Sequence, residues 1–245
     1  MKKKIIFFAI FSVLGLIALQ IPVNFLAGSK VKFTLFDLFA PASGAFVGSV
    51  FGIFTVLTAQ IVNIFMHGTI VDKGVIIRLF STLFAIWFFA LPTSSFWGAK
   101  RLQNQLKTSQ DSGQARMTVF NNLLFLVPAL AIISFNLNPI GRSVWFYSLF
   151  WLVPYLVWPL RERFLIARSL GATMTAHAVG GAIWIWAFSL PASVWISLIP
   201  IVIVERMIFA MGISANYILF NNVGAYLTSK KLLPKGVRID KKYII

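Results

Sequence analysis

Apolar residues fall into long runs separated by short basic patches. The runs span approximately 5–27, 33–66, 75–97, 117–137, 144–160, 171–190 and 192–228. Lipid offers no partner to unpaired backbone groups, so runs this long and this free of charge predict helices. Two are too long for one crossing. At 1.5 Å per residue, the stretch 33–66 would reach roughly 50 Å, against a hydrocarbon core of about 30 Å.

Composition fits that pattern. Of 245 residues 59% are hydrophobic and 11% charged, with a mean hydropathy of +0.86. Soluble domains average about 25% charged residues, so a soluble or a disordered chain is excluded. Lys and Arg total 22 against 6 acids, a net charge of +16. The cations lie between the apolar runs, at Lys2–Lys4, at Lys100, Arg101, Lys107 and Arg116, at Arg161, Arg163 and Arg168, and from Lys230 to Lys242. Nucleic-acid binding would gather them on one face of a folded domain. No nucleic-acid partner is expected. Lys2–Lys4 precede a run that continues through Ile21 and Val23 to Ala27. A signal-peptide core is only about 7–15 residues long, so this is read as an uncleaved first span.

Cytoplasmic loops hold the basic residues of a polytopic protein. With Lys2–Lys4 inside, two crossings by 33–66 place 98–116, 161–170 and the Lys-rich C-terminus inside as well. A helical hairpin with a tight turn near Gly48-Ser49 is therefore expected, glycine allowing positive φ there. Pro200 disfavours a continuous helix. Residues 192–200 are expected as an outer-surface segment with Trp195 at the headgroup level, and 203–227 as the last span. The expected fold is all-α, a transmembrane bundle of about eight helices with both termini cytoplasmic. It forms one integral membrane domain over 1–245, with a cytoplasmic loop at 98–116 and a basic cytoplasmic tail at 229–245, multi-pass in the cell membrane.

Catalytic signatures are sparse. The chain has no Cys. It carries no P-loop, no H-E-x-x-H and no G-x-S-x-G. His67 and His177 have no carboxylate at metal-ligand spacing. No enzyme activity, cofactor or metal is expected.

Charges at membrane depth face an interior or a pathway. On the outer side the topology gathers Asp37, Gln60, Asn63, His67, Arg78, Glu205 and Arg206, with Trp184 as an aromatic candidate. They form either a pocket for a small polar ligand or a set of structural ion pairs. His177 reads as a cavity residue or as an interhelical hydrogen bonder. Trp184 and Trp186 are ligand-stacking or belt residues. Asn121, Asn122, Asn216, Asn221 and Asn222 are expected to bond between helices. Ala40, Gly44, Gly48 and Gly52, like Ala172, Ala176 and Gly180, form ridges of small residues. Such ridges dock helices within a chain or dock another subunit, so the first set is a candidate partner-docking surface.

The stretch Phe36-Asp37-Leu38-Phe39-Ala40-Pro41-Ala42-Ser43-Gly44-Ala45-Phe46-Val47-Gly48, followed by Gly52, resembles the substrate-binding S components of energy-coupling factor transporters. So does Ala192-Ser193-Val194-Trp195 with Pro200 and Glu205-Arg206. The resemblance covers roughly 5–66 and 171–228. S components usually have six helices, so 75–160 holds about two further crossings. Their first-helix Ala-x-x-x-Ala is only approximated by Ala9, Ser12, Gly15 and Ala18. The resemblance implies a vitamin-like micronutrient as ligand, a transmembrane coupling subunit and separate ATPase subunits. The alternatives are a membrane-embedded enzyme or lipid-handling protein acting near His177, Asp37 or Glu205, and an assembly subunit without a ligand.

Overall fold

A computed structural model describes residues 2–25, 32–68, 70–91, 112–233 and 237–245; for 2–7, 24–25, 32, 47 and 112–124 it describes the backbone alone. The chain is nearly all helical. Helix α1 spans Lys2–Gln20. A short antiparallel pair, β1 (Pro22–Phe25) and β2 (Lys32–Thr34), follows it. Next come α2 (Leu35–Val47), α3 (Ser49–His67) and α4 (Lys73–Ala90). Then α5 (Ser112–Leu137) leads through the short α6 (Pro139–Ser143) into a mixed rod. The rod joins 3₁₀ turns at Trp145–Leu152 and Trp158–Leu160 with α7 (Val153–Val157) between them. Finally α8 (Leu165–Phe188) and α9 (Ala192–Ser229) complete the fold. Helices α3, α4 and α9 are long and apolar enough to cross a membrane, and several shorter apolar helices accompany them.

The run 33–66 does reverse at Gly48, whose φ is +92°. Beyond the turn α2 and α3 touch backbone to backbone: a Cβ on Gly52 would stand 2.5 Å from the Gly44 Cα. A Cβ on Gly44 would meet Ile86 Cγ2 at 2.8 Å and Ala90 Cβ at 2.9 Å, so α4 closes on the same spot. Ala40, Gly44 and Gly52 are buried inside this chain, which corrects their candidacy as a partner-docking surface. Gly48 sits on the turn, with nothing within 4 Å of a built Cβ. On α8, Gly171 faces the Phe88 ring of α4, and Gly181 faces Trp151 of the rod. One helix of small residues thus receives large rings on two sides, the close approach that such residues permit.

Two apolar clusters result. One joins α1–α4 to Leu165 and Ala172 of α8 and to Ile213 and Tyr217 of α9. The other joins Phe135, Tyr147, Trp151, Ala178, Ile185, Trp195 and Val202.

Several expectations are corrected. The first helix stops at Gln20, because Pro22 lacks an N–H and pushes Ile21 out of the helical region. Residue 27 lies outside the described residues. Helix α9 runs unbroken through Pro200, so 192–200 is no separate surface segment. A single proline removes one backbone bond, which neighbouring packing compensates. Trp195 is accordingly 2% exposed instead of lying at a headgroup, with ring centroids 5.0 Å from Phe135 and from Tyr147. In the expected loop 98–116, residues 98–111 lie outside the described set, and 112–116 already belong to α5.

The basic tail folds back on the bundle. Asn221 donates from Nδ2 to Asp240 O and accepts from Asp240 N, both at 2.8 Å. Asn222 donates to Tyr243 O at 2.8 Å and accepts from Ile245 N at 2.7 Å. These two asparagines hold the tail, not a neighbouring helix. Asn216 bonds Gly212 O of its own helix at 3.0 Å. The side chains of Asn121 and Asn122 lie outside the described residues.

Candidate functional site

Arg206 of α9 is the hub of a polar layer set between the two apolar clusters. On α8, Thr173 and His177 fall between Ala172 of the first cluster and Ala178 of the second. On α9, Glu205 and Arg206 fall between Val202 of the second and Ile213 of the first.

Adjacent helix positions diverge by about 100° and do not normally face each other. Arg206 is long enough to fold back. It pairs with Glu205 through Nη2 and through Nε, the latter at 3.1 Å from Oε2. Their side chains are only 12% and 7% exposed. The remaining arm of the guanidinium, Nη1, donates to Thr173 Oγ1 at 3.0 Å. Its plane lies over the Phe209 ring, 4.7 Å from the centroid. Among the described residues this is the only ion pair.

Asp37 reaches the same region from α2. It closes the first turn of that helix, accepting from Thr34 N at 2.9 Å and from Thr34 Oγ1 at 3.4 Å. That capping box leaves its charge within electrostatic reach of both Arg78 and Arg206. From the rod, the Tyr147 hydroxyl lies 3.3 Å from His177 Nε2. The Arg206 charge reaches both Tyr147 and His177. Four segments therefore lie near one another here, α2, the rod, α8 and α9, with the exposed Arg78 of α4 within electrostatic reach of Asp37. The Glu205–Arg206 pair lies beside the Thr173 hydroxyl, and the Tyr147 phenol lies beside the His177 imidazole. Such a set can orient a small polar molecule by charge-assisted hydrogen bonds.

The candidate residues take up different positions in the fold. Glu205 and Arg206 pair with each other, and Asp37, bonded to Thr34, lies within electrostatic reach of Arg78 and Arg206. Glu205 and Arg206 do not open their helix. With α9 starting at Ala192, they lie about 20 Å along it, by rise per residue. The other candidates lie elsewhere. Asn63 accepts from Gln20 Nε2 at 2.8 Å, tying α3 to α1. Exposed His67 bonds Asn63 O at 3.1 Å. Gln60 Oε1 is buried with no hydrogen-bond partner among the described residues. Trp184 packs on Phe188, with ring centroids 4.3 Å apart, and covers Gly74 at the start of α4. Trp186 donates to Ser134 of α5 at 3.2 Å.

Thr173 and Tyr147 were not among the expected residues. Thr173 and His177 stand four apart, on one face of α8, and that spacing is a signal the sequence does carry. Tyr147 gave none, since it lies among the aromatic residues of the rod. Among the described residues no group of three or more His, Asp or Glu could hold a metal ion. No family model, curated protein or solved structure matches the chain.

Proposed function

We propose that this is a multi-pass membrane protein that binds a small polar ligand at the Asp37–Glu205–Arg206 centre. In this reading the ligand is a vitamin-like micronutrient taken up from the outer side. A separate coupling subunit and ATPase subunits drive the uptake, as the resemblance of the α2–α3 and α9 stretches implies. The chain itself performs no catalysis and needs no cofactor.

The observation that carries the reading is the placement of Arg206. Charges withdrawn from water are costly even when paired, and a plain structural bundle does better with apolar contacts. Here the Glu205–Arg206 pair is withdrawn from water, Thr173 completes the guanidinium, and Asp37 of α2 lies within electrostatic reach of it. A charge-balanced site of this kind favours a neutral or zwitterionic ligand over a strongly ionic one.

Eight helical runs support a multi-pass arrangement. The mixed rod is short in residues, but a 3₁₀ helix rises about 2.0 Å per residue, so Trp145–Leu160 reaches about 30 Å. Arg161, Arg163, Arg168, Lys241 and Lys242 gather at the Gly48 end of the bundle, which is the cytoplasmic end under the positive-inside rule.

Purification of the full chain from its own membrane, with mass spectrometry of bound small molecules and copurifying proteins, tests the proposal. A single small polar molecule together with coupling and ATPase subunits is expected. A preparation that contains neither overturns it.

A further inference from the structure

Arg161 is 3% exposed and has no carboxylate partner among the described residues. Its Nη2 donates to Phe88 O at 3.0 Å and to Leu91 O at 2.9 Å. Arg168 donates from Nε to Phe89 O at 2.7 Å. The last carbonyls of a helix lack intrahelical donors and carry the negative end of its dipole. Two arginines therefore cap α4. That role uses only part of Arg161. Its Nε and Nη1 are buried with no hydrogen-bond partner among the described residues.

The cation is otherwise held by rings, with its Cζ 4.5 Å from the Trp158 centroid and 5.0 Å from that of Phe88. Burial, and then the neighbouring Arg168 charge, pull its pKa down to about 9, with Glu162 acting the other way. It still carries its proton at neutral pH. Two like charges are thus held together at the end of α4 with two donors idle. The surroundings are basic too. Lys242 Nζ donates to Glu162 O at 3.0 Å and to Arg163 O at 2.8 Å, which brings the tail to the same place. Among the described residues, the nearby acids Glu162 and Asp240 form no ion pair with either arginine.

We propose that Arg161 and Arg168 form a phosphate-binding site at the end of α4, which takes the phosphate of an anionic lipid or free inorganic phosphate. An oxyanion supplies the acceptors that Nε and Nη1 lack, in the forked geometry that arginine offers. It also relieves the repulsion between the two guanidiniums. The depth fits, because α4 is long enough to span and its end then lies at headgroup level, flanked by Trp158. This site is separate from the Arg206 centre and does not depend on the proposed transport.

The test uses the full chain in detergent. Dioctanoyl phosphatidylglycerol, dioctanoyl phosphatidylcholine and inorganic phosphate are titrated separately, with native mass spectrometry and melting temperature as readouts. Arg161→Lys keeps a charge but loses the fork, and Arg163→Gln is an exposed control. One saturable site is expected, weakened about tenfold in Arg161→Lys, the scale of one charge-assisted hydrogen bond, and unchanged in the control. Saturation by phosphatidylglycerol in preference to phosphatidylcholine names a lipid source, and saturation by phosphate alone names the free ion. Where Arg161→Lys does not fold, the wild-type titration and Arg168→Lys decide. Absence of saturable binding, or binding equal to wild type in the lysine variants, leaves both arginines as helix caps and overturns the proposal.

Discussion

Gly52 lies against the backbone of Gly44: a Cβ on Gly52 would stand 2.5 Å from the Gly44 Cα and 2.8 Å from its N. This contact, and not the turn itself, sets the closeness of α2 and α3. Gly48 is constrained differently, by a φ of +92° with open space around it. Gly48→Ala and Gly48→Leu should therefore cost the same, about 1–3 kcal/mol of backbone strain. Gly52→Ala should cost about 1–3 kcal/mol from overpacking, and Gly52→Leu clearly more. Unfolding in detergent measures all four. A cost at Gly48 that grows with side-chain size would place a helix contact there instead.

The Tyr155 hydroxyl stands inside the hydrogen-bond ladder of α5. It accepts from Ala129 N at 3.0 Å and donates to Phe125 O at 2.6 Å, beside Pro128. Proline disturbs the ladder, and an inserted side chain can repair it while bending the helix. Tyr155→Phe should destabilise the chain by about 1–3 kcal/mol, the cost of leaving partly buried backbone groups unmet. A wild-type melting temperature in that variant would show that water or a straightened α5 replaces the hydroxyl.

Removing one member of a buried ion pair leaves the other uncompensated. Glu205→Gln should cost about 3–5 kcal/mol for that reason. Adding Arg206→Gln should recover part of the loss, because the stranded cation is then gone. A double-variant cycle reads the coupling. Purely additive effects would mean that Glu205 and Arg206 act independently and that the layer is not organised by their pair.

Orientation is open to direct labelling because the chain contains no cysteine of its own. Single cysteines at His67 and Ser112 should differ in intact cells. The first should react with an impermeant thiol reagent, and the second only after the membrane is permeabilised. The reverse pattern would invert the bundle, and equal reactivity would break the hairpin as a membrane-spanning unit.

The α2–α3 reversal was legible in the sequence because two signals agreed there, the parity of basic loops and a glycine at the turn. The unbroken α9 was not. Pro200 is a local signal against helix, and the packing of Trp195 on Phe135 and Tyr147 overrides it. That continuity moved Glu205 and Arg206 from the mouth of a helix to its middle, where Thr173 of α8 meets Arg206. Arg161 and Arg168 were equally hard to read. A basic cluster between apolar runs looks solvated, and nothing local to it shows that the carbonyls of Phe88, Phe89 and Leu91 lie beside it. Asn221 and Asn222 bind a tail 19 to 23 residues onward, a pairing without periodicity to reveal it.

Asp37→Asn tests the central claim most directly. The amide oxygen can still cap Thr34 N, so the fold should persist, while the charge facing Arg78 and Arg206 is lost. The measurement is the amount of small molecule that copurifies per chain, by mass spectrometry, alongside the melting temperature. Wild type should carry one small polar molecule at near-stoichiometric occupancy. The variant should bind it more weakly by about 1.5–3 kcal/mol, the worth of a charge-assisted hydrogen bond, with little change in melting temperature. Equal occupancy in the two proteins, or a fall in stability with binding intact in what remains folded, would contradict a ligand site at the Asp37–Arg206 centre.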